Sequence, residues 1–156
     1  MRPILYLDVE GTLLLIGAGT VHFRPHLAEL FATISALAPR MECRWLTSYS
    51  SSQVERIFAV EGVDITSIRY QPWEGCKASA LNHAHPVLWV DDHLSAKDSI
   101  VLQSLAAEGR HVTHRAIRRW NGDPEDRELL ELRRDLEGWI GSQTGFGSTH
   151  RGEMVA

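Results

Sequence analysis

A chain of 156 residues that is 44% hydrophobic can bury the core of one ordinary domain but is short for two. Its net charge of −4, from 16 Lys and Arg against 20 Asp and Glu, excludes a general attraction to nucleic acid or anionic membrane and leaves open only a local basic site. Cys43 and Cys76 form neither a metal spacing nor a disulfide framework, no apolar run approaches a bilayer span, and no separate signal peptide precedes the first strand, so a reducing, cytoplasmic setting is expected.

Ile4-Leu5-Tyr6-Leu7 is an apolar run bounded by Gly11, as suits a short strand buried on both faces of a parallel sheet. Such a strand delivers Asp8 to the carboxyl edge of the sheet, where open α/β folds hold their ligands. Glu10 points to the same side as Asp8 if the backbone stays extended, and Gly11 lets the chain turn. Alone, Asp8-Val9-Glu10-Gly11-Thr12 reads equally well as an ordinary strand end and turn. Leu13 to Val21, interrupted by Gly17 and Gly19, predicts a hairpin or flap too short to be a lid domain. Pro25 opens a helical pattern through Leu27, Leu30, Phe31, Ile34 and Leu37 that closes before Pro39.

Cys43-Arg44-Trp45-Leu46-Thr47 predicts the second strand, and Ser50, Ser51 or Ser52 caps a helix through Val54, Ile57, Phe58 and Val60 to Gly62. Ile65 to Tyr70 is a weaker third strand, Gln71 to Gly75 a turn, and Lys77 begins a short helix through Leu81. Pro86 to Asp92 is a strong buried strand that again ends in carboxylates. A helix follows through Ile100, Leu102 and Leu105 to Gly109, then an edge strand at His111-Val112-Thr113. Asp123-Pro124-Glu125 signals a helix start, and Leu129, Leu132, Leu136, Trp139 and Ile140 mark the final amphipathic helix. From Gly141 the apolar periodicity is lost, which predicts one domain over 1–141 and a flexible tail over 142–156.

Strands alternating with helices call for a three-layer Rossmann-like sandwich, a mainly parallel sheet covered on both faces through right-handed crossovers. One sheet edge then collects Asp8 and Glu10, Thr47 and Ser48, Lys77, and Asp91 with Asp92. Each has a structural reading by itself: a turn Thr, a solvated Lys, an Asp pair capping a helix. Three like-charged carboxylates together are costly unless a cation neutralises them, and such oxygen ligands suit Mg²⁺. The Lys and hydroxyl groups opposite suit a phosphoryl group.

In that order, the four parts resemble the motifs of the haloacid dehalogenase-like (HAD) superfamily. Asp8-Val9-Glu10-Gly11-Thr12 is similar to its first motif, Thr47 after Trp45-Leu46 to its second, Lys77 to its third and Asp91-Asp92 to its fourth. The resemblance spans roughly residues 3 to 115 and is nearest to small capless members of bacteria and phages. It implies a phosphatase in which Asp8 attacks phosphorus to give an aspartyl-phosphate. Mg²⁺ would be held by Asp8, the backbone carbonyl of Glu10 and Asp91, with Asp92 acting through water or as support. Thr47 and Lys77, with Ser48 beside them, would hold the phosphoryl oxygens.

Glu10 departs from the pattern, since phosphatases of the superfamily usually carry Asp there as the acid that protonates the leaving group and then activates water. The extra methylene moves the carboxyl outward, and an error of about an ångström costs on the order of 100-fold in rate. The competing reading is therefore a catalytically weak or inactive HAD-like module that binds a partner or a phosphorylated ligand. A receiver domain, which also combines acids, Thr and Lys, carries its acidic pair first, whereas here the pair comes last.

The segments where caps enter are too short for one, so the site is expected to be an open bowl. Cover must then come from a large substrate, such as a phosphorylated protein or nucleic acid end, or from a neighbouring subunit; a membrane partner is not expected. The apolar Leu13 to Ile16 is a surface for such a partner or a piece of the core. Arg110, Arg115, Arg118 and Arg119 beside Trp120 form either a contact for an anionic substrate body or a solvated face. His93 either lines the site or is simply exposed.

Overall fold

The computed structural model describes residues 1–145. Five parallel strands, β1 Ile4–Leu7, β4 Glu42–Trp45, β5 Ile68–Tyr70, β6 Val87–Asp91 and β7 Val112–Ala116, form the central sheet in the order β5-β4-β1-β6-β7. The two strongest apolar runs, β1 and β6, are thus neighbours at the centre, as expected of strands with no face left for water.

Alternation along β1 explains the layers. Leu5 and Leu7 point into a core shared with α1 (Leu27–Leu37), α2 (Ser51–Ala59) and α4 (Glu128–Gly145) through Phe31, Ile34, Val54, Phe58, Leu132 and Leu136. Ile4 and Tyr6 point the other way, to Cys76, Ala78 and Leu81 and to Val101 and Leu102 of α3 (Ala96–Ala107). All four β1 side chains are buried, each worth about 1.5–3 kcal/mol for the large apolar ones. The architecture is the three-layer α/β sandwich expected, and no inserted cap is present among the described residues.

A small antiparallel hairpin, β2 Leu14–Gly17 with β3 Thr20–Phe23, leaves the end of β1 where Leu13 donates back to the Val9 carbonyl. Its apolar run is divided in use: Leu13 and Leu14 are fully buried, while Ile16 is exposed.

Several boundaries differ from the sequence reading. Pro25 stays outside α1, because His26 takes a left-handed conformation (φ 69°) and the helix begins only at Leu27. The second strand ends at Trp45, so Thr47 lies in the loop after it. Lys77 begins a single 3-10 turn, Lys77–Ala80, rather than an α-helix. Asp123 to Arg127 form turns before α4, which continues through Gly145; residues 146–156, the rest of the expected tail, lie outside the described residues. The helix after Thr47 does start on a capping box, Ser50 with Gln53, and α3 on a second, Ser95 with Asp98. No described helix is long and apolar enough to cross a membrane.

Candidate functional site

The floor of the site is built by adjacent strand ends. The Asp8 amide donates to the Val90 carbonyl (3.1 Å), which holds Asp8 beside Asp91 at the carboxyl edge of the sheet. Lys77 reaches both, with Nζ 2.8 Å from Asp8 Oδ1 and 2.7 Å from Asp91 Oδ2. The remaining oxygens are also engaged: Thr12 donates its hydroxyl to Asp8 Oδ2 (3.2 Å), and the His93 amide donates to Asp91 Oδ1 (3.0 Å). Lys77 is itself placed by Asp98, a buried carboxylate that accepts from the Ala78 amide (2.8 Å) while it caps α3.

Charge on this floor does not balance. Burial pushes the Asp8 carboxyl up to about 7, and the neighbouring Asp91 carboxylate adds to the rise against the opposing pull of Lys77. Burial raises Asp91 as well, again against Lys77. For Lys77 burial works the other way, but the two carboxylates outweigh it and hold the ammonium above its ordinary value. Asp92 adds a third carboxylate: Asp8, Asp91 and Asp92 each offer an oxygen within 4.8 Å of the others. A hard, all-oxygen donor set with one cation for two buried carboxylates, and a third beside them, fits Mg²⁺.

The rim comes from loops. Thr47 and Ser48 line the cleft; the Thr47 hydroxyl accepts from the Tyr49 amide (3.2 Å), and its carbonyl accepts from the Trp73 indole (2.8 Å). The side chain of Glu10 is 42% exposed and stands above the floor, met by the Tyr49 hydroxyl and by the Arg119 guanidinium, which also pairs with Asp92. The cleft encloses about 520 Å³. All of Asp8, Glu10, Thr47, Ser48, Lys77, Asp91 and Asp92 therefore meet in one place, and His93 both lines it and is exposed.

Sequence reasoning does not single out Thr12, Tyr49, Trp73, Asp98 or, as a site residue, Arg119. The sequence groups Arg119 with neighbouring arginines, which the fold disperses. Arg115 pairs with Asp135 and Glu128, Arg118 approaches Asp126, and only Arg119 enters the cleft. The signal available is position: Arg119 follows β7, next to β6 in the sheet, so its loop opens at the same edge.

No family model and no curated protein matches the sequence. Among solved structures the chain is similar to the HAD domain of the effector protein Lem4 from Legionella pneumophila, at 13% identity and a TM-score of 0.60 over 86% of this chain and 93% of that one. An inactive mutant of the same domain aligns at 12% identity and a TM-score of 0.61, covering 92% and 98%. The likeness is one of fold, and the fold is HAD-like.

Proposed function

We propose that this chain, HAD-like in fold, is a Mg²⁺-dependent phosphohydrolase that cleaves phosphate monoesters through an aspartyl-phosphate on Asp8. The observation that carries the reading is Lys77 bridging Asp8 and Asp91, with Asp92 close by, at the carboxyl edge of the sheet. A buried nucleophile among excess carboxylates has no structural benefit that apolar residues would not give better.

In the first step an Asp8 oxygen bonds to phosphorus as the bond to the leaving oxygen breaks, and Glu10 gives its proton to that oxygen. In the second, Glu10 takes a proton from water, the water oxygen attacks phosphorus, and the Asp8 carboxylate departs with phosphate released. Lys77 and the Thr47 and Ser48 region hold the phosphoryl oxygens. Bound by Asp8, Asp91, Asp92 and the Glu10 carbonyl, Mg²⁺ would supply charge neutralisation of the phosphoryl group. Among the described residues no lid covers the cleft, so exclusion of water falls to the body of a large phosphorylated substrate or to a second subunit.

A panel of phosphomonoesters, assayed with and without Mg²⁺, tests the reading. Turnover should require Mg²⁺ and vanish in Asp8→Asn; wild type as inert as Asp8→Asn, with a phosphorylated ligand still bound, would instead make this a binding module. A small aryl phosphate turned over far better than a phosphopeptide or a 5′-phosphorylated oligonucleotide by a monomer would exclude the large-substrate route.

A further inference from the structure

Glu10 is the one position at which this chain leaves the expected pattern, and two side chains from distant loops converge on it. Tyr49 donates its hydroxyl to Oε2 at 2.9 Å. Arg119 places Nη2 3.6 Å from Oε1, an electrostatic contact beyond hydrogen-bond length. A longer carboxylic acid needs such restraint, because a Glu has one more rotatable bond than an Asp and reaches further from the floor. We propose that Tyr49 and Arg119 are positioning residues that hold the Glu10 carboxyl where it meets the leaving oxygen, offsetting the extra methylene; the proposal rests on the phosphohydrolase reading above.

Both partners are themselves fixed. The Tyr49 amide donates to the Thr47 hydroxyl and the Tyr49 carbonyl accepts from the Tyr70 hydroxyl (2.9 Å), so its main chain is held from the strand side. Burial, then the bond to Glu10, raises the Tyr49 phenol to about 12, which keeps it a donor. Arg119 is held by Asp92, with Nη1 3.1 Å from Oδ2, and its loop is tied down by the bond from the Trp120 amide to the Gly11 carbonyl (2.9 Å). Gly11 leaves this room: a Cβ there would run into the Asp92 carboxylate and the Arg119 guanidinium. The glycine after Glu10 thus serves the arginine as well as the turn.

The two contacts are unequal, and that inequality assigns the oxygens. Tyr49 occupies Oε2, which leaves Oε1 as the oxygen that serves the ester oxygen as the bond to phosphorus breaks and that to Asp8 forms. Arg119 orients the carboxyl without closing Oε1 to substrate.

The experiment is a leaving-group series: kcat/KM at saturating Mg²⁺ for aryl and alkyl phosphates spanning a wide range of leaving-group acidity, for wild type, Tyr49→Phe, Arg119→Lys and Glu10→Gln. A lost acid matters little for an activated aryl ester and greatly for an alkyl one. Glu10→Gln should cost on the order of 100-fold or more on alkyl phosphates. Tyr49→Phe should cost roughly 10-fold there and little on activated esters, with Arg119→Lys between it and wild type. Placed on the Glu10→Gln background, Tyr49→Phe should cost nothing more. A loss equal across the series, or additive with Glu10→Gln, overturns the positioning role while leaving the phosphohydrolase intact. Asp8-independent turnover, or none on any ester, overturns that reading and the positioning role with it.

Discussion

Two buried clusters of charge, both made by a basic residue reaching far along the chain, behave in opposite ways. Arg24 meets Asp126 in a two-pronged pair, Nε to Oδ1 at 2.8 Å and Nη2 to Oδ2 at 3.0 Å, both side chains almost wholly covered. There Arg24 meets the carboxylate directly and Arg118 approaches it at 3.8 Å, and although burial pulls upward, the bonds and charge of Arg24 hold Asp126 below its ordinary value. Lys77 faces Asp8 and Asp91 together, and both carboxyls are held above theirs. A balanced pair locks the wall formed by β3 and the loop before α4. An unbalanced set is a standing cost that only a further cation relieves, and this marks it as the working part of the molecule.

The sharpest way to break this comparison is to neutralise one residue in each cluster. Asp8→Asn should abolish turnover, a loss of several orders of magnitude, because an amide nitrogen or oxygen does not replace the carboxylate nucleophile. Its thermal stability in metal-free neutral buffer should nonetheless match or exceed that of wild type, since the charge removed is one that burial disfavours. Arg24→Met should do the reverse. It strands Asp126 and leaves the Thr12 carbonyl without the 3.0 Å bond from Arg24 Nη1, at a cost of about 3–5 kcal/mol in denaturant unfolding. Adding Asp126→Leu to Arg24→Met should recover part of that loss, and no recovery would mean the pair is not the reason for it.

The pH dependence should carry opposite signs, with smaller amplitude. The folded-state pKa of Asp8 is raised, so its contribution to stability is fully present below the ordinary value of 3.8 and is lost as pH climbs toward about 7. That of Asp126 is lowered, so its contribution is present above 3.8 and is lost as pH falls through the folded value. Metal-free wild type should therefore lose stability relative to Asp8→Asn as the pH rises from about 4 to 7. Parallel melting curves for the two proteins across that range would remove the claim of imbalance.

The contrast also explains what the sequence could and could not disclose. Asp8 and Asp91 follow apolar runs long enough to be central strands, and their place at one edge comes from the period of the strand alone. Lys77 is legible by order, although its residues suggest a helix where the structure has a 3-10 turn. Tyr49, Trp73 and Arg119 lie in loops, where no period announces direction, and they reach the site by long-range contacts that only the assembled sheet creates. The Arg24–Asp126 pair joins a strand end to a turn 102 residues away, with no local signal at either end. Leu13 to Ile16 leaves the choice between surface and core open for a physical reason: the hairpin turns over the core edge, burying its first half and exposing its end.

The smallest expected effect lies where the unbalanced set touches the rim. Gly11 adopts a φ of +79°, a conformation that costs a residue with a Cβ roughly 1–2 kcal/mol, so Gly11→Ala should lower Tm by only a few degrees in a domain of this size. Of the obstructing neighbours, the exposed end of Arg119 can swing aside, whereas the nearly covered Asp92 carboxylate must shift with it. Displacing Arg119, however, removes the guanidinium from Asp92 and from Glu10 at once, leaving the carboxylates of the cleft with Lys77 as their nearest cation. Gly11→Ala should therefore fold, bind Mg²⁺ more weakly than wild type by isothermal titration because Asp92 is displaced, and lose activity mainly on alkyl phosphates. Unchanged Mg²⁺ binding would show that Asp92 is not a direct ligand of the metal.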